Sequence, residues 1–336
     1  MNGRDNKDDE SSDASKVDNG NAVAAAEFQR LAEEAENSQD LAAAIQLLRE
    51  RREAKALYEE VRVLCWVPIA PASHNVTAVH VRATWGKRCN KLIFISTKDG
   101  NVSQCILSKH QRHQRWQSQS IRAFWNKTRS ALKYIYSHFL NDYEWFLKAD
   151  DNTFVLLENL RYLLRAYDTN DPVYFGQHYK TKSGYNSGGG GYVLGREAVR
   201  RFIEKAFHNE SVCNTRKVGE DFQLGRCLQG VGIAIIDTRD HLQQGRFFQQ
   251  HVRQILQDPN IHQRLLYYPV KKDDVADSCC SDTVISFHQM TTADLYMLDY
   301  LIYKVRVFGH VTTLPLKIPL PPDLAGIPKK TIESYL

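Results

Sequence analysis

The sequence predicts an α/β fold, with a mostly parallel central sheet flanked by helices, on three observations. From residue 61 onward, short apolar runs rich in β-branched and aromatic residues recur. Stretches with helical periodicity separate them, and turn formers bound them. With 336 residues, 43% of them apolar, the chain can bury one large core or two modest ones.

The elements follow in order. Residues 1–21 are rich in Asp, Asn, Ser and Gly, lack a core-forming pattern, and are expected to be disordered. Residues 22–60 carry Leu31, Ala35, Leu41, Ile45 and Leu48 at helical spacing and read as a helical stem. The main domain then runs over 61–312, with a C-terminal tail at 313–336. Within it, "VRVLCWVPIA" and "KLIFIST" read as buried strands, and "AVHVRATWGKRC" between them as a helix. "SIRAFWNKTRSALKYIYSHFL" is a longer helix, "YEWFLKA" a strand, "VLLENLRYLLRAY" an amphipathic helix and "DPVYFGQ" a further strand. Parallel sheets bind ligands at the carboxyl ends of their strands. Asp150 and Asp151 fall there, just past "WFLKA".

Composition excludes several function classes. A net charge of +5 is small, and no basic stretch is interleaved with an aromatic platform, so nucleic acid is not an expected partner. "KHQRHQRW" at 109–116 reads as a solvated loop. None of the seven cysteines falls in a CxxC pair, which argues against a zinc ribbon or a thioredoxin-like site. The odd count leaves at least one thiol free or paired between chains. Sequons at Asn75, Asn101, Asn126 and Asn209, together with the scattered cysteines, favour an oxidising secretory compartment. No apolar run approaches the ~20 residues that span a bilayer, and the first residues are not a signal peptide. A missing start is therefore expected.

The chemistry concentrates in four motifs. In "FLKADDNTF", Asp150 and Asn152 point the same way if the segment is extended, and Asp151 points back. Such a pair suits a hard divalent cation. Equally, Asp and Asn after a strand open a turn or cap the next helix, here from Asn152 or Thr153. The run "SGGGGYVL" at 187–194 lets backbone approach a polar ligand, or forms a hairpin turn. It lacks the order of a phosphate loop, so ATP and GTP are not expected. In "VGEDFQLGRCL", Glu220 and Asp221 open a helix, as dipole-satisfying caps or as a general base. His288 in "VISFHQM" is a core histidine or a ligand.

As an ordered set, "VLCWV", "HVRATWGKRCNKLIFIS", "WFLKADDNTFVLLENLRYLL", "PVYFGQ", "SGGGGYVL", "GEDFQLGRCL" and "CCSDTVISFH" resemble the core 1 β1,3-galactosyltransferases, relatives of the fringe enzymes. The resemblance covers roughly residues 61–310. It implies a GT-A fold, a manganese ion and UDP-galactose as donor, with transfer to GalNAc on serine or threonine of a glycoprotein. It implies Asp150, Asn152 and His288 as metal ligands and Asp221 as the base of an inverting displacement. Arg82, Trp85, Arg88, Lys148, Asp150 and Asp151 are implied around the donor. Gly189, Gly190, Tyr192 and Glu220 are implied around the sugar and acceptor. It also implies a Cys65–Cys89 disulfide and a Golgi, type II membrane setting, and leaves room for a homodimer. Two departures stand out. Asn152 replaces a third aspartate, and no tryptophan follows Trp145, although the family carries one shortly before its paired cysteines. The alternative to an enzyme is a catalytically weak or inactive relative acting as a chaperone or glycan-binding partner.

Overall fold

The structure, a computed structural model, describes residues 39–96, 105–107, 121–181, 184–213, 218–258, 266 and 280–305. The expected disordered start, the first part of the stem, the loop at 109–116, the sequon at Asn101 and the C-terminal tail lie outside these residues. The described chain divides into two units, one contributing residues 39–53 and the other Ala54–Val305. Helix α1 (Gln39–Glu60) begins in the first, and its last residues belong to the second, where Leu57 is buried.

The larger unit is built on a seven-stranded sheet. Its strands are β1 (Val63–Pro68), β2 (Lys91–Ser96), β3 (Cys105–Leu107), β4 (Trp145–Lys148), β6 (Val173–Gly176), β9 (Tyr192–Gly195) and β10 (Ala234–Ile235). They lie in the order β10-β6-β9-β4-β1-β2-β3. β9 runs antiparallel to both β4 and β6, while the other neighbours pair in parallel. β9 alone therefore runs against the rest, and the sheet is mostly parallel.

Both faces of the sheet are covered, which is why its strands read as unbroken apolar runs. Along β1, Val63, Cys65 and Val67 join one core, with Leu147, Phe175 and Val193. Leu64 and Trp66 point the other way and join a second, with Phe146, Tyr174, Tyr192 and Leu194. Helix α2 (Val79–Ala83) follows β1 after a π turn at His74–Ala78, and α3 (Ile121–Phe139) precedes β4. Cys65 in β1 bonds to Cys89 before β2, the pairing that the resemblance implied. Helix α4 (Leu157–Leu164) packs Leu157, Leu160, Leu163 and Leu164 into the first core.

A smaller sheet completes the cleft. β12 (Ser286–Phe287) lies between β11 (Phe247–Phe248), which is parallel to it, and β5 (Phe154–Val155), which is antiparallel. β5 follows the Asp150–Thr153 turn directly, and His288 follows β12 directly. The backbone pairing thus carries His288 to the acidic turn across a long separation in sequence. A hairpin of β7 (His178–Tyr179) and β8 (Tyr185–Asn186) leads into the glycine run. Helix α5 (Arg196–Arg201) follows β9, α6 (Glu220–Gln229) carries the next acidic pair, α7 (Val252–Gln257) follows β11, and α8 (Thr292–Tyr303) closes the described chain. Among the described residues, no helix is long and apolar enough to cross a membrane.

Candidate active site

Four segments meet at the carboxyl end of β4: the turn after that strand, the glycine run before β9, the start of α6 and the end of β12. Lys148, the last residue of β4, is the pivot. Its buried Nζ donates to Asp150 Oδ1 at 2.7 Å and to the Gly188 carbonyl at 2.9 Å. Burial opposes the charge on Lys148, but Asp150, Glu220 and Asp221 outweigh it and its pKa is raised. The lysine is an internal cation that binds the acidic turn to the glycine run.

The carboxylates divide by partner. Asp150 keeps its side chain 30% exposed, so its second oxygen is open to a ligand. Residues 150–153 form a turn rather than an extended segment, and within it Asp151 accepts from Thr77 Oγ1 at 2.5 Å. Glu220 directs its carboxylate inward, where Oε1 accepts from Thr128 Oγ1 and Tyr192 Oη, both at 2.8 Å. Desolvation, with Asp221 adding to it, pushes the Glu220 carboxyl up despite Lys148. Asp221 accepts from Gly188 N at 3.0 Å on Oδ2 and from Phe222 N at 2.8 Å on Oδ1. Two backbone donors therefore fix its orientation at the mouth of α6.

His288 faces the same space. Thr153 Oγ1 donates to the Gly189 carbonyl at 3.0 Å, and His288 Nδ1 lies 3.1 Å from the same oxygen. A hydroxyl has one hydrogen to give, so Nδ1–H donates to Thr153 and the Nε2 lone pair is the one left for a ligand. Burial lowers the His288 pKa, against the pull of Asp150. The imidazole lies against Gly189, where a Cβ would sit 2.8 Å from Cδ2 and 2.9 Å from Nε2. Gly191 has φ +81, a conformation that side chains rarely adopt, and closes the turn into β9. Ser286 Oγ donates to the Gly190 carbonyl and ties the run to β12.

The donor set fits a divalent cation in kind. By residue type, Asp150 would bring a carboxylate oxygen, Asn152 an amide oxygen and His288 an imidazole nitrogen, a mixture that suits a divalent cation. Only two of these three are ionisable ligand types. Among the described residues no group of three or more His, Cys, Asp or Glu side chains is placed to hold a metal. The charge that a third aspartate would bring is absent.

Several residues that the resemblance placed around donor and sugar have other surroundings in the structure. Trp85 is fully buried in the first core, so it has no face to offer a nucleotide. Arg88 ion-pairs with Asp299 in α8 at 2.7 Å and with Glu158 in α4 at 3.7 Å, and lies over the Tyr303 ring. Arg82 is exposed on α2. Tyr192 is fully buried in the second core and donates to Glu220. Lys148 is buried too and acts through Asp150. In contrast, Thr77, Lys127, Thr128 and Thr153 surround the site without having been singled out for it. The buried Lys127 donates to the Ile69 carbonyl just past β1, and burial lowers its pKa although Asp151 is near enough to favour its charge. Thr77 and Thr128 stand in the sequence only as sequon hydroxyls.

Comparison with known proteins now places the fold. The profile described as fringe-like matches residues 73–291, a span that includes the acidic turn, the glycine run, the start of α6 and His288. The chain belongs to the fringe-like family. A glycoprotein-N-acetylgalactosamine 3-beta-galactosyltransferase 1 from Xenopus laevis is 35% identical over 266 residues, covering 76% of this chain and 70% of that protein. A beta-1,3-glucosyltransferase from Mus musculus is 34% identical over 114 residues, 32% of this chain and 22% of that protein. Chondroitin sulfate synthase 3 from Homo sapiens is 28% identical over 113 residues, 30% of this chain and 13% of that protein. This fringe-like chain is a glycosyltransferase by family, and its sheet is the mixed α/β architecture expected from the sequence.

Proposed function

We propose that this chain is an inverting galactosyltransferase, moving galactose from UDP-galactose to the 3-hydroxyl of GalNAc on serine or threonine of glycoproteins. The observation that carries this reading is the meeting of Asp221, Asp150 and His288 around one glycine run, in a chain 35% identical to the Xenopus enzyme across 76% of its length. Asp221, oriented by Gly188 N and Phe222 N, takes the proton from the acceptor 3-hydroxyl as that oxygen attacks the anomeric carbon. The bond to the UDP oxygen breaks on the opposite face, so an α-linked donor gives a β-linked product. Lys148 holds Asp150 in place, and Gly189 keeps the wall beside His288 thin enough for a bulky donor. Asp150, Asn152 and His288 would hold a manganese ion, which when bound supplies positive charge to the leaving diphosphate. A Golgi setting follows from such an acceptor.

A second reading is favoured by one residue. Asn152 takes one negative charge from the cation site, as expected of a relative kept as a chaperone or glycan-binding partner. UDP-galactose turnover on a GalNAc-bearing peptide, across a manganese series, separates the two. The enzyme reading expects turnover by the native chain, a lower half-saturating manganese concentration for Asn152→Asp, and loss of turnover for Asp221→Ala. An inactive native chain rescued by Asn152→Asp supports the second reading. Full turnover by Asp221→Ala overturns the assignment of the base.

A further inference from the structure

The four sequons of this chain are not equivalent in the fold. At Asn75, the sequon hydroxyl belongs to Thr77 and donates to Asp151 at 2.5 Å. At Asn126, it belongs to Thr128, which is 2% exposed and donates to Glu220 at 2.8 Å. Asn126 itself lies within α3, between the buried side chains of Trp125 and Lys127. These two threonines are accounted for by the active site. Asn101 is outside the described residues.

The sequon Asn209-Glu210-Ser211 serves neither core nor cleft. All three residues are exposed, in the turn beyond the π segment Phe202–Ala206 that extends α5. Ser211 donates to Asn209 Oδ1 twice, from Oγ at 2.6 Å and from N at 3.1 Å. The oxygen end of the carboxamide is thereby anchored, and the nitrogen end is the one the turn presents. Val212 N and Cys213 N both donate to the Asn209 carbonyl, at 3.2 and 2.8 Å. Cys213 is then bonded to Cys227 in α6. That disulfide calls for an oxidising compartment independently of the sequon. Cys227 lies six residues beyond Asp221 in α6, and at 1.5 Å per residue this places it about 9 Å further along the helix axis. A bulky group on this turn hangs from the end of α6 remote from the chemistry.

We infer that Asn209 is an N-glycosylation site, accepting an oligosaccharide from a lipid-linked diphosphate donor by the action of the cell's own oligosaccharide transferase. Nδ2 attacks the anomeric carbon, and the new C–N bond forms as the carbon–oxygen bond to the diphosphate breaks. The lipid diphosphate leaves with the electron pair, and an amide proton passes to a base of the transferase. The inference rests on the secretory setting of the proposed function. It adds that Asn126 stays bare, because that side chain is half-buried within α3, flanked by the buried Trp125 and Lys127.

The test uses the full chain, directed into the secretory pathway of cultured eukaryotic cells by a cleavable leader. Purified protein is treated with peptide N-glycosidase in heavy-oxygen water, and the asparagines converted to labelled aspartate are mapped by mass spectrometry. The expected result is label at Asn209 and none at Asn126. Ser211→Ala should abolish the label at Asn209, Ser211→Thr should restore it, and Asn209→Gln should remove one glycan's worth of gel mobility with galactose transfer unchanged. An unlabelled Asn209, or a labelled Asn126 in folded protein, overturns the inference. Galactose transfer is read on the same sample. Label without transfer counts against the galactosyltransferase reading alone, and transfer without label counts against this site alone.

Discussion

Thr153 gives its hydrogen to the Gly189 carbonyl and so receives the proton of His288 Nδ1. Removing that oxygen while keeping the shape of the side chain should leave the fold and spoil the ligand. Thr153→Val is expected to weaken manganese binding about 10–100-fold, the usual cost of losing a partner behind a metal-bound histidine. Thr153→Ser should recover most of it. Calorimetric titration with manganese, beside an unchanged circular dichroism spectrum, checks both. Gly189→Ala places a methyl within 2.9 Å of Nε2, so the imidazole must shift. Turnover should fall by roughly 100-fold, as for a misplaced reacting group, and a variant retaining half its activity would show that His288 is not positioned by this wall. These two positions also mark what a sequence reading can and cannot reach. His288 and the glycines carry chemistry in their own side chains or in the absence of one, so they stand out as letters. Thr77 and Thr128 do not, because their roles come from partners 74 and 92 residues away. The burial of Tyr192 was not legible for the opposite reason: it adjoins the glycine run, but strand alternation from Leu194 turns it into the second core.

Elements were legible where their period was strong. The apolar runs of β1, β2 and β4 read as buried strands because helices cover both faces of the sheet. The direction of β9 was not legible, since an apolar tetrad pairs equally well either way and the hairpin of β7 and β8 decides its approach. The docking of α8 was hidden too, because beside Leu295 in the first core it uses ion pairs that no sequence period marks. Asp299, which is 3% exposed, accepts from Arg88 at 2.7 Å and from Lys87 at 3.2 Å, joining α8 to the turn before β2. Burial alone would raise its pKa, but these two cations outweigh it and hold the carboxyl below its ordinary value. A depressed carboxyl contributes stability that is full above its unfolded pKa, about 4, and lost as pH falls through the folded value. Thermal melts of the native protein should therefore drop steeply below about pH 4. Asp299→Asn should melt lower at neutral pH, by about 3 kcal/mol, with a shallower acid limb. Parallel acid limbs for the two proteins would show that this ion pair does not hold the helix.

Across the whole molecule, the cysteines and the sequons were read as one signal of compartment, and the structure separates their contributions. Cys65–Cys89 and Cys213–Cys227 are closed, and Cys280 is also disulfide-bonded. Sequence could not give the second pairing, because spacing does not determine connectivity. The two described bonds act on different parts of the site. Cys65–Cys89 fastens β1 to the segment entering β2, beneath the carboxyl edge where Thr77 meets Asp151, and closes a separation of 24 residues. Cys213–Cys227 fastens the Asn209 turn to α6 and closes a separation of 14. Chain entropy alone makes each loop worth about 3–3.5 kcal/mol. For a domain of this size, 1 kcal/mol moves the melting temperature by about 2–4 °C. Replacing both Cys65 and Cys89 by alanine should accordingly lower it by roughly 6–14 °C. Because Cys213–Cys227 remains, α6 should keep its place, and the Asp221-dependent turnover should survive at temperatures below the new transition. Scanning calorimetry with and without reductant checks the first part. The native protein should fall further on reduction than the double variant, which has already lost one bond. Equal shifts for the two proteins would mean that Cys65–Cys89 does not constrain the unfolded chain, and the sheet's stability would then have to come from its two apolar faces alone.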